Sequence, residues 1–314
     1  MVKIENLVKH YGSVRAVQGI NFEVKDGEIL GFLGANGAGK STTLKVMTGF
    51  LSPTAGNVHF DDKNILEHSL EIRKEVGYLP ENNPLYLEMK VYDFLEFIAK
   101  VRGIEGKAFK SALGRVIEQC GLKGIIHKQI IECSKGYKQR VGLAMAMIHD
   151  PKVLILDEPV SGLDPNQIVE IRELIKKVGE EKTVIISSHI LQEIEATVDR
   201  IIIIHEGQLV ADGTHQELMH NFHGKAQLTI EAKNATDDSI MQLKEKESGI
   251  HIANVSTIKD KRVISLEFDK KIDPREMVFN HAVAEKWTLL EMTTHKVQLE
   301  DVFRTLTIEG GGNA

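Results

Sequence analysis

Cysteine is nearly missing from this chain: of 314 residues, only Cys120 and Cys133 carry a thiol. Two thiols make neither a disulfide framework nor a cysteine metal site, and a reducing compartment fits them. Long apolar runs are missing too. The longest aliphatic stretches, such as residues 201–204, are strand-sized, far short of the ~18–20 residues that cross a membrane. The first residues, Met1 to Glu5, form no apolar secretory segment. Positive charge is not in excess, because the formal net charge is −6, so there is no global signature for nucleic acid. A local group, Lys135, Lys138 and Arg140, reads as phosphate-facing or exposed on a helix. What remains is an ordinary globular composition, 42% hydrophobic and 27% charged. The length supports two domains, each with a core of its own.

The most informative stretch runs Gly34, Ala35, Asn36, Gly37, Ala38, Gly39, Lys40, Ser41. It matches G-x-x-x-x-G-K-[ST], and each fixed position has a physical task. The glycines let the backbone curl so that successive N–H groups point at phosphate oxygens. Lys40 brings a positive charge to the β- and γ-phosphates, and the Ser41 hydroxyl is a Mg²⁺ ligand. Thr42 and the residues after it read as a helix whose N-terminus faces the phosphates. Residues 28–33 read as the buried strand that feeds the loop.

Farther on, residues 153–156 are a bare apolar run that ends in Asp157, Glu158 and Pro159. Such a run suits the middle of a parallel sheet covered on both faces. Acids at its C-terminal end lie where open α/β sheets bind ligands. Asp157 is a candidate Mg²⁺ ligand, and Glu158 a candidate general base for an attacking water.

At this point the chain resembles the ATP-binding-cassette (ABC) ATPase subunits of transporters. Ser134, Lys135 and Gly136 stand where that family has its signature motif. Ser161 to Pro165 is similar to its D-loop, and residues 184–189 to the strand ending in its switch histidine, His189. Tyr11 sits where the family stacks an aromatic on adenine, with Val17 beside it. The resemblance covers about residues 1–220. It implies ATP and Mg²⁺ as ligands and a head-to-tail homodimer. In it, Ser134, Lys135 and Gly136 of one copy meet the γ-phosphate bound by the other. His189 then contacts the γ-phosphate and holds the water. Ser134 also has a plain physical reading, as the cap of the helix that follows, which leaves a positive helix end free for phosphate.

Two departures stand out. The signature reads Cys133, Ser134, Lys135, Gly136, Tyr137 rather than Leu-Ser-Gly-Gly-Gln, and Glu81 occupies the usual place of the Q-loop glutamine. Ser134 and Gly136 are kept, so an active site is expected. Glu81 remains able to ligate Mg²⁺ or its water as a hard oxygen donor.

The expected fold is α/β: a P-loop cassette over residues 1–222 with a mainly parallel sheet, an antiparallel β layer and a helical insert at about 84–150. A small α+β domain of order β-α-β-β-α-β is expected over 224–308. Its closing stretch, residues 297–303, resembles the C-terminal extension of drug, lipid and polysaccharide exporters, and the whole looks closest to the gliding-motility-associated branch. The resemblance implies separate polytopic permease subunits, docked on the helical insert and Q-loop. It places the protein peripherally, on the cytoplasmic face of the inner membrane, with no nucleic-acid partner. The competing class is a soluble ABC-type ATPase acting on ribosomes or DNA. Those usually carry two cassettes or a long coiled-coil insert, and this chain has neither.

Overall fold

In a computed structural model of the chain, residues 1–221, 226–246, 250–268, 272–295 and 299–304 are described. The expected junction at 222–224, Glu247, Val297, and the expected helix end and tail from residue 305 onward lie outside them. The chain divides into two units, Met1–Gln216 with Phe303–Ala314, and Glu217–Val302.

The first unit opens with strands β1 (Val2–Tyr11), β2 (Val14–Val24) and β3 (Ile29–Leu33), then helix α1 (Lys40–Met47). There follow β4 (Ala55–Phe60), β5 (Lys63–Asn64), α2 (Ser69–Glu75) and β6 (Val76–Leu79). Three helices come next, α3 (Val91–Val101), α4 (Gly106–Cys120) and α5 (Lys135–Met147). The unit is completed by β7 (Val153–Asp157), α6 (Pro165–Gly179), β8 (Thr183–Ser188), β9 (Arg200–His205) and β10 (Gln208–Gly213), with α7 (His215–Asn221) running across its boundary.

These strands form two sheets. One is antiparallel, in the order β2-β1-β4-β5. The other runs β10-β9-β3-β8-β7-β6 and is parallel except for β10, which turns back along β9. Every residue of β3, β7 and β8 is buried, which is why β3, residues 153–156 of β7 and residues 184–186 of β8 are continuous apolar runs rather than alternating ones. Alternation appears instead in β1 and β2, which send Val2, Ile4, Leu7, Val17, Ile20, Phe22 and Val24 into the core. Phe22 and Phe32 stack at 5.5 Å and join the two sheets. The β1–β2 hairpin closes over Gly12 and Ser13, with Tyr11 paired to Val14 and Gly12 at φ +59°.

The second unit holds β11 (Ala226–Lys233), α8 (Asp237–Lys246), β12 (Ile250–Ile258), β13 (Lys261–Phe268), α9 (Arg275–Ala284) and β14 (Thr288–His295). A short helix, α10 (Leu299–Arg304), follows across its end. Its sheet is antiparallel, in the order β12-β13-β11-β14. Leu228, Ile230, Leu243, Ile264, Leu266 and Val278 form the core. A polar core contact sits among them: Trp287 Nε1 donates to Ser239 Oγ at 2.9 Å, and His281 Nε2 lies 2.7 Å from the Ser239 carbonyl.

Candidate active site

The loop between β3 and α1 is shaped by close backbone approaches. A Cβ on Gly34 would stand 2.5 Å from the Ile204 carbonyl, and one on Gly39 2.4 Å from the Ala16 carbonyl. Gly39 also takes φ +110°, open in practice only to glycine. The Lys40 ammonium folds back over this loop, donating to the carbonyls of Gly34 at 2.8 Å and Ala35 at 3.3 Å. Ala38 is buried behind it.

Sheet order brings the acids to the same place. β8 lies between β3 and β7, and Ser187 is in register with both Phe32 and Asp157. Side chains on one rung of a parallel sheet share a face, so the buried Ser187 hydroxyl donates to Asp157 Oδ1 at 2.6 Å. That oxygen accepts a second hydrogen bond, from Ser41 Oγ at 3.1 Å. One residue on, Glu158 Oε1 lies 3.3 Å from Lys40 Nζ, and both side chains are buried. Its other oxygen, Oε2, is 2.8 Å from His189 Nδ1. A carboxylate can only accept, so Nδ1 carries the proton and Nε2 is left for other partners.

These groups line a cleft of about 450 Å³ formed by Ala16, Asn36, Gly37, Gly39, Lys40, Ser41, Thr42, Glu81, Glu158, Ser161 and His189. Lys40, Ser41, Glu158 and His189 are thus gathered in one cleft, with Glu81 at its wall and Asp157 bonded to Ser41. An orphan hydroxyl lies nearby: buried Tyr78 Oη has no hydrogen-bond partner. Burial, and then the charges of Asp157 and Glu81, push its ionisation well above the ordinary tyrosine range.

Other expected site residues lie elsewhere. Val17 is wholly buried in the core, as the inward set of β2 requires, and Ala16 reaches the cleft in its place. Tyr11 stands exposed on the β1–β2 hairpin with Lys9 Nζ 5.4 Å from its ring centre, outside the cleft lining. Ser134 caps α5 by accepting from Tyr137 N at 3.3 Å. With Gly136 it lines a second cavity, of about 460 Å³, against Asp164, Gln167 and Glu170. Lys135 reaches across Gly162, where a Cβ would meet its Nζ at 2.1 Å. Within one chain, therefore, the signature residues and the phosphate loop belong to separate cavities.

Sequence reasoning missed Ser187 and Ala16, and it read Ser161 only as part of the D-loop stretch rather than as a wall of this cleft. Ser187 carries the clearest missed signal, a hydroxyl inside an apolar strand two residues before His189. A buried hydroxyl needs a partner, and the nearest strand end offers a carboxylate.

Residues 17–161 match the ABC transporter family. Residues 131–195 also match a family described as AAA domain, putative AbiEii toxin, Type IV TA system. The bacitracin transport ATP-binding protein BcrA of Bacillus licheniformis is 42% identical over 214 residues, 68% of this chain and 69% of its own length. The protein of that name from Enterococcus faecalis is 35% identical over 317 residues, 100% of this chain and 98% of its own. Among solved structures, cbiO1 from Clostridium perfringens, part of the ABC transporter complex cbiONQ, is 30% identical with a TM-score of 0.65. That likeness covers 70% of this chain and 90% of cbiO1. These relatives lend nothing to the expected gliding-motility affiliation. The similarity extends over the whole chain in the Enterococcus protein, and the phosphate loop, acids and histidine converge as an ATP-hydrolysing site requires; this chain belongs to the ABC transporter family, as an ATP-binding, ATP-hydrolysing subunit.

Proposed function

We propose that Glu158 is the general base of ATP hydrolysis and that His189 positions the reacting groups. One observation carries this reading: the buried Glu158 carboxylate bridges Lys40 and His189 inside the phosphate-loop cleft. A base must lie within hydrogen-bond reach of the water it deprotonates, and this carboxylate is the buried one that lines the cleft. Lys40 neutralises charge on the β- and γ-phosphates, and the N–H groups of the glycine loop hold them. Nε2 of His189 serves the γ-phosphate while its Nδ1–H keeps Glu158 oriented. Tyr11 supplies an aromatic face for adenine from the β1–β2 hairpin.

The donor set fits Mg²⁺. Ser41 Oγ and Asp157 Oδ1 are hard oxygens 3.1 Å apart, and Glu81 lines the same cleft. Among the described residues no three His, Cys, Asp or Glu side chains cluster to hold a metal by themselves; Ser41, Asp157 and Glu81 would hold the ion together with the bound nucleotide. Bound there, the ion neutralises charge on the phosphate oxygens.

Separate cavities for the signature and the phosphate loop support a composite site, in which Ser134, Lys135 and Gly136 of a second copy close on the bound triphosphate. Membrane permease subunits are the coupled partners, a reading that rests on the likeness to transport ATP-binding proteins; no helix among the described residues is long and apolar enough to cross a membrane. Their docking surface is the exposed apolar group Tyr86, Leu87, Phe97 and Val101, where the Tyr86 ring packs 5.7 Å from Phe97. The subunit then sits on the cytoplasmic face of the cell membrane. The bacitracin transport proteins point to a peptide antibiotic as the exported molecule. The residue range 1–222 serves as the ATPase domain and 224–308 as a support for dimer closure.

The test is purification of the native complex under conditions that keep membrane proteins. A polytopic partner that stimulates Mg-ATP hydrolysis supports the reading. ATPase activity that responds only to ribosomes or DNA overturns it.

A further inference from the structure

Glu158 holds its carboxylate from a backbone at φ +51°, in the left-handed region that non-glycine residues avoid. Such a conformation persists only where its surroundings over-determine it. Two side chains do so, one on each side of the residue. The Glu158 N–H donates to Ser187 Oγ at 3.0 Å, and the same hydroxyl spends its proton on Asp157 Oδ1 at 2.6 Å. Ser187 is wholly buried, so without it the Glu158 N–H loses its partner in a dry place. On the other side, Gln139 Nε2 donates to the Pro159 carbonyl at 2.6 Å.

Gln139 is itself held in one orientation. Its Oε1 accepts from Asn83 Nδ2 at 3.0 Å, from the loop that carries Glu81. An amide turned the other way would set oxygen against the Pro159 carbonyl and nitrogen against a donor. Asn83 in turn fits only because residue 142 is glycine: a Cβ there would stand 2.4 Å from Asn83 Oδ1. Neither Ser187 nor Gln139 lines the cleft: Ser187 reaches it through the Glu158 N–H and through Asp157, and Gln139 through the Pro159 carbonyl.

We propose that Ser187 and Gln139 are positioning residues that pin the Glu158 peptide from both sides and so aim its carboxylate at the attacking water. This rests on the reading of Glu158 as base. A misplaced base slows the chemical step more than it weakens nucleotide binding, because the glycine loop and Lys40 make no hydrogen bond to the Ser187 or Gln139 side chain and Ser41 keeps its own bond to Asp157. Displacements of about an ångström in a catalytic group cost on the order of 10²-fold.

The test uses the full chain in four variants: Ser187→Ala, Ser187→Thr, Gln139→Glu and Glu158→Gln. Gln139→Glu keeps the shape and removes the donor. Steady-state Mg-ATP hydrolysis gives kcat and KM, and a fluorescent ATP analogue gives Kd. Ser187→Ala and Gln139→Glu are expected to lower kcat by about 10- to 100-fold with Kd within about two-fold of the parent, and Ser187→Thr to recover most of the rate. A kcat within about two-fold of the parent for both variants overturns the proposal, and so does a loss of nucleotide affinity that parallels the loss of rate. If Ser187→Ala does not fold, Gln139→Glu decides alone, since that side chain is only half-buried. Full turnover in Glu158→Gln sinks the base assignment itself. An inactive Glu158→Gln beside two unaffected positioning variants sinks only the positioning.

Discussion

Lys40 and Glu158 form a buried ion pair, ammonium to carboxylate oxygen at 3.3 Å. The proposed phosphate-binding cation and the proposed base therefore share one charge balance. Replacing Glu158 with glutamine removes the base and leaves Lys40 with its two carbonyl partners, Gly34 and Ala35. Turnover is expected to fall by about 10²- to 10⁴-fold, the usual worth of a general base. ATP affinity is expected to hold or rise, because Lys40 no longer answers to a protein carboxylate. Parallel kcat measurements and nucleotide titrations check both halves.

Glu81→Gln belongs in the same series with the opposite expectation. Glu81 lines the cleft but has no part in the Lys40–Glu158–His189 contact. An amide still offers an oxygen to a metal-bound water, so hydrolysis stays measurable. Loss of activity equal to that of Glu158→Gln would move Glu81 from a supporting ligand to an essential one.

The composite site is tested by mass. Glu158→Gln with Mg-ATP is expected to sediment as a dimer, and the same protein with Ser134→Ala added as a weaker one. A single-copy mass at every protein concentration, with nucleotide bound, removes the proposed second copy.

Gly39→Ala is expected to abolish nucleotide binding or folding. The new methyl would stand 2.4 Å from the Ala16 carbonyl, a backbone atom with no room to yield, at φ +110°. A change at a strained left-handed position costs about 1–3 kcal/mol before the clash is added. Gly37→Ala meets nothing within 4 Å and pays only for its φ of +83°. Thermal melts with and without ATP should rank the two variants in that order.

His149 predicts an acid-sensitive edge to stability. Its Nε2–H donates to the Val76 carbonyl at 3.1 Å, and its Nδ1 is buried without a partner. Burial, and then the Arg102 charge, lower its pKa from 6.5 to about 4. Between those values the unfolded chain holds a proton that the folded chain refuses, so stability rises with pH across this window and is lost as pH falls through it. Allowing for partial solvent contact, the contribution is about 1–2 kcal/mol. Urea midpoints at pH 5 and pH 7 should differ less in His149→Gln than in the parent.

Both cysteines should stay silent toward alkylating reagents in the folded protein. Burial raises the Cys120 thiol to about 12, and it raises that of Cys133 as well. Cys133 Sγ also points at the Gln129 carbonyl, 3.6 Å away. Stoichiometric labelling of native protein would contradict this placement.

Much of the site could be read locally. The stretch from Gly34 through Thr42 is continuous and lies between a strand and a helix, so its glycine, lysine and hydroxyl spacing could be read locally as a proposed phosphate loop. Asp157 and Glu158 announce themselves as acids after an apolar strand. What depended on register was hidden. Ser187 meets Asp157 because β8 is inserted between β3 and β7, and no local pattern specifies that insertion. Val17 was read toward adenine, whereas the inward set of β2 buries it. Gly12 and Ser13 make a two-residue turn, and β1 and β2 run right up to it. The left-handed backbone of Glu158 has no sequence mark at all, since it is held by Ser187 and Gln139 from distant elements.

The place of β3 in its sheet bears on how the protein is made. Its two hydrogen-bonded neighbours, β8 and β9, are the last parallel strands to leave the ribosome. A nascent chain stalled before residue 183 carries β3 without either of the strands that hydrogen-bond it. Distant pairings of this kind need loop closure before any contact rewards it. The ladder on both sides of β3, which presents the loop to the cleft, is thus closed only after the residues through Ile203 have been made.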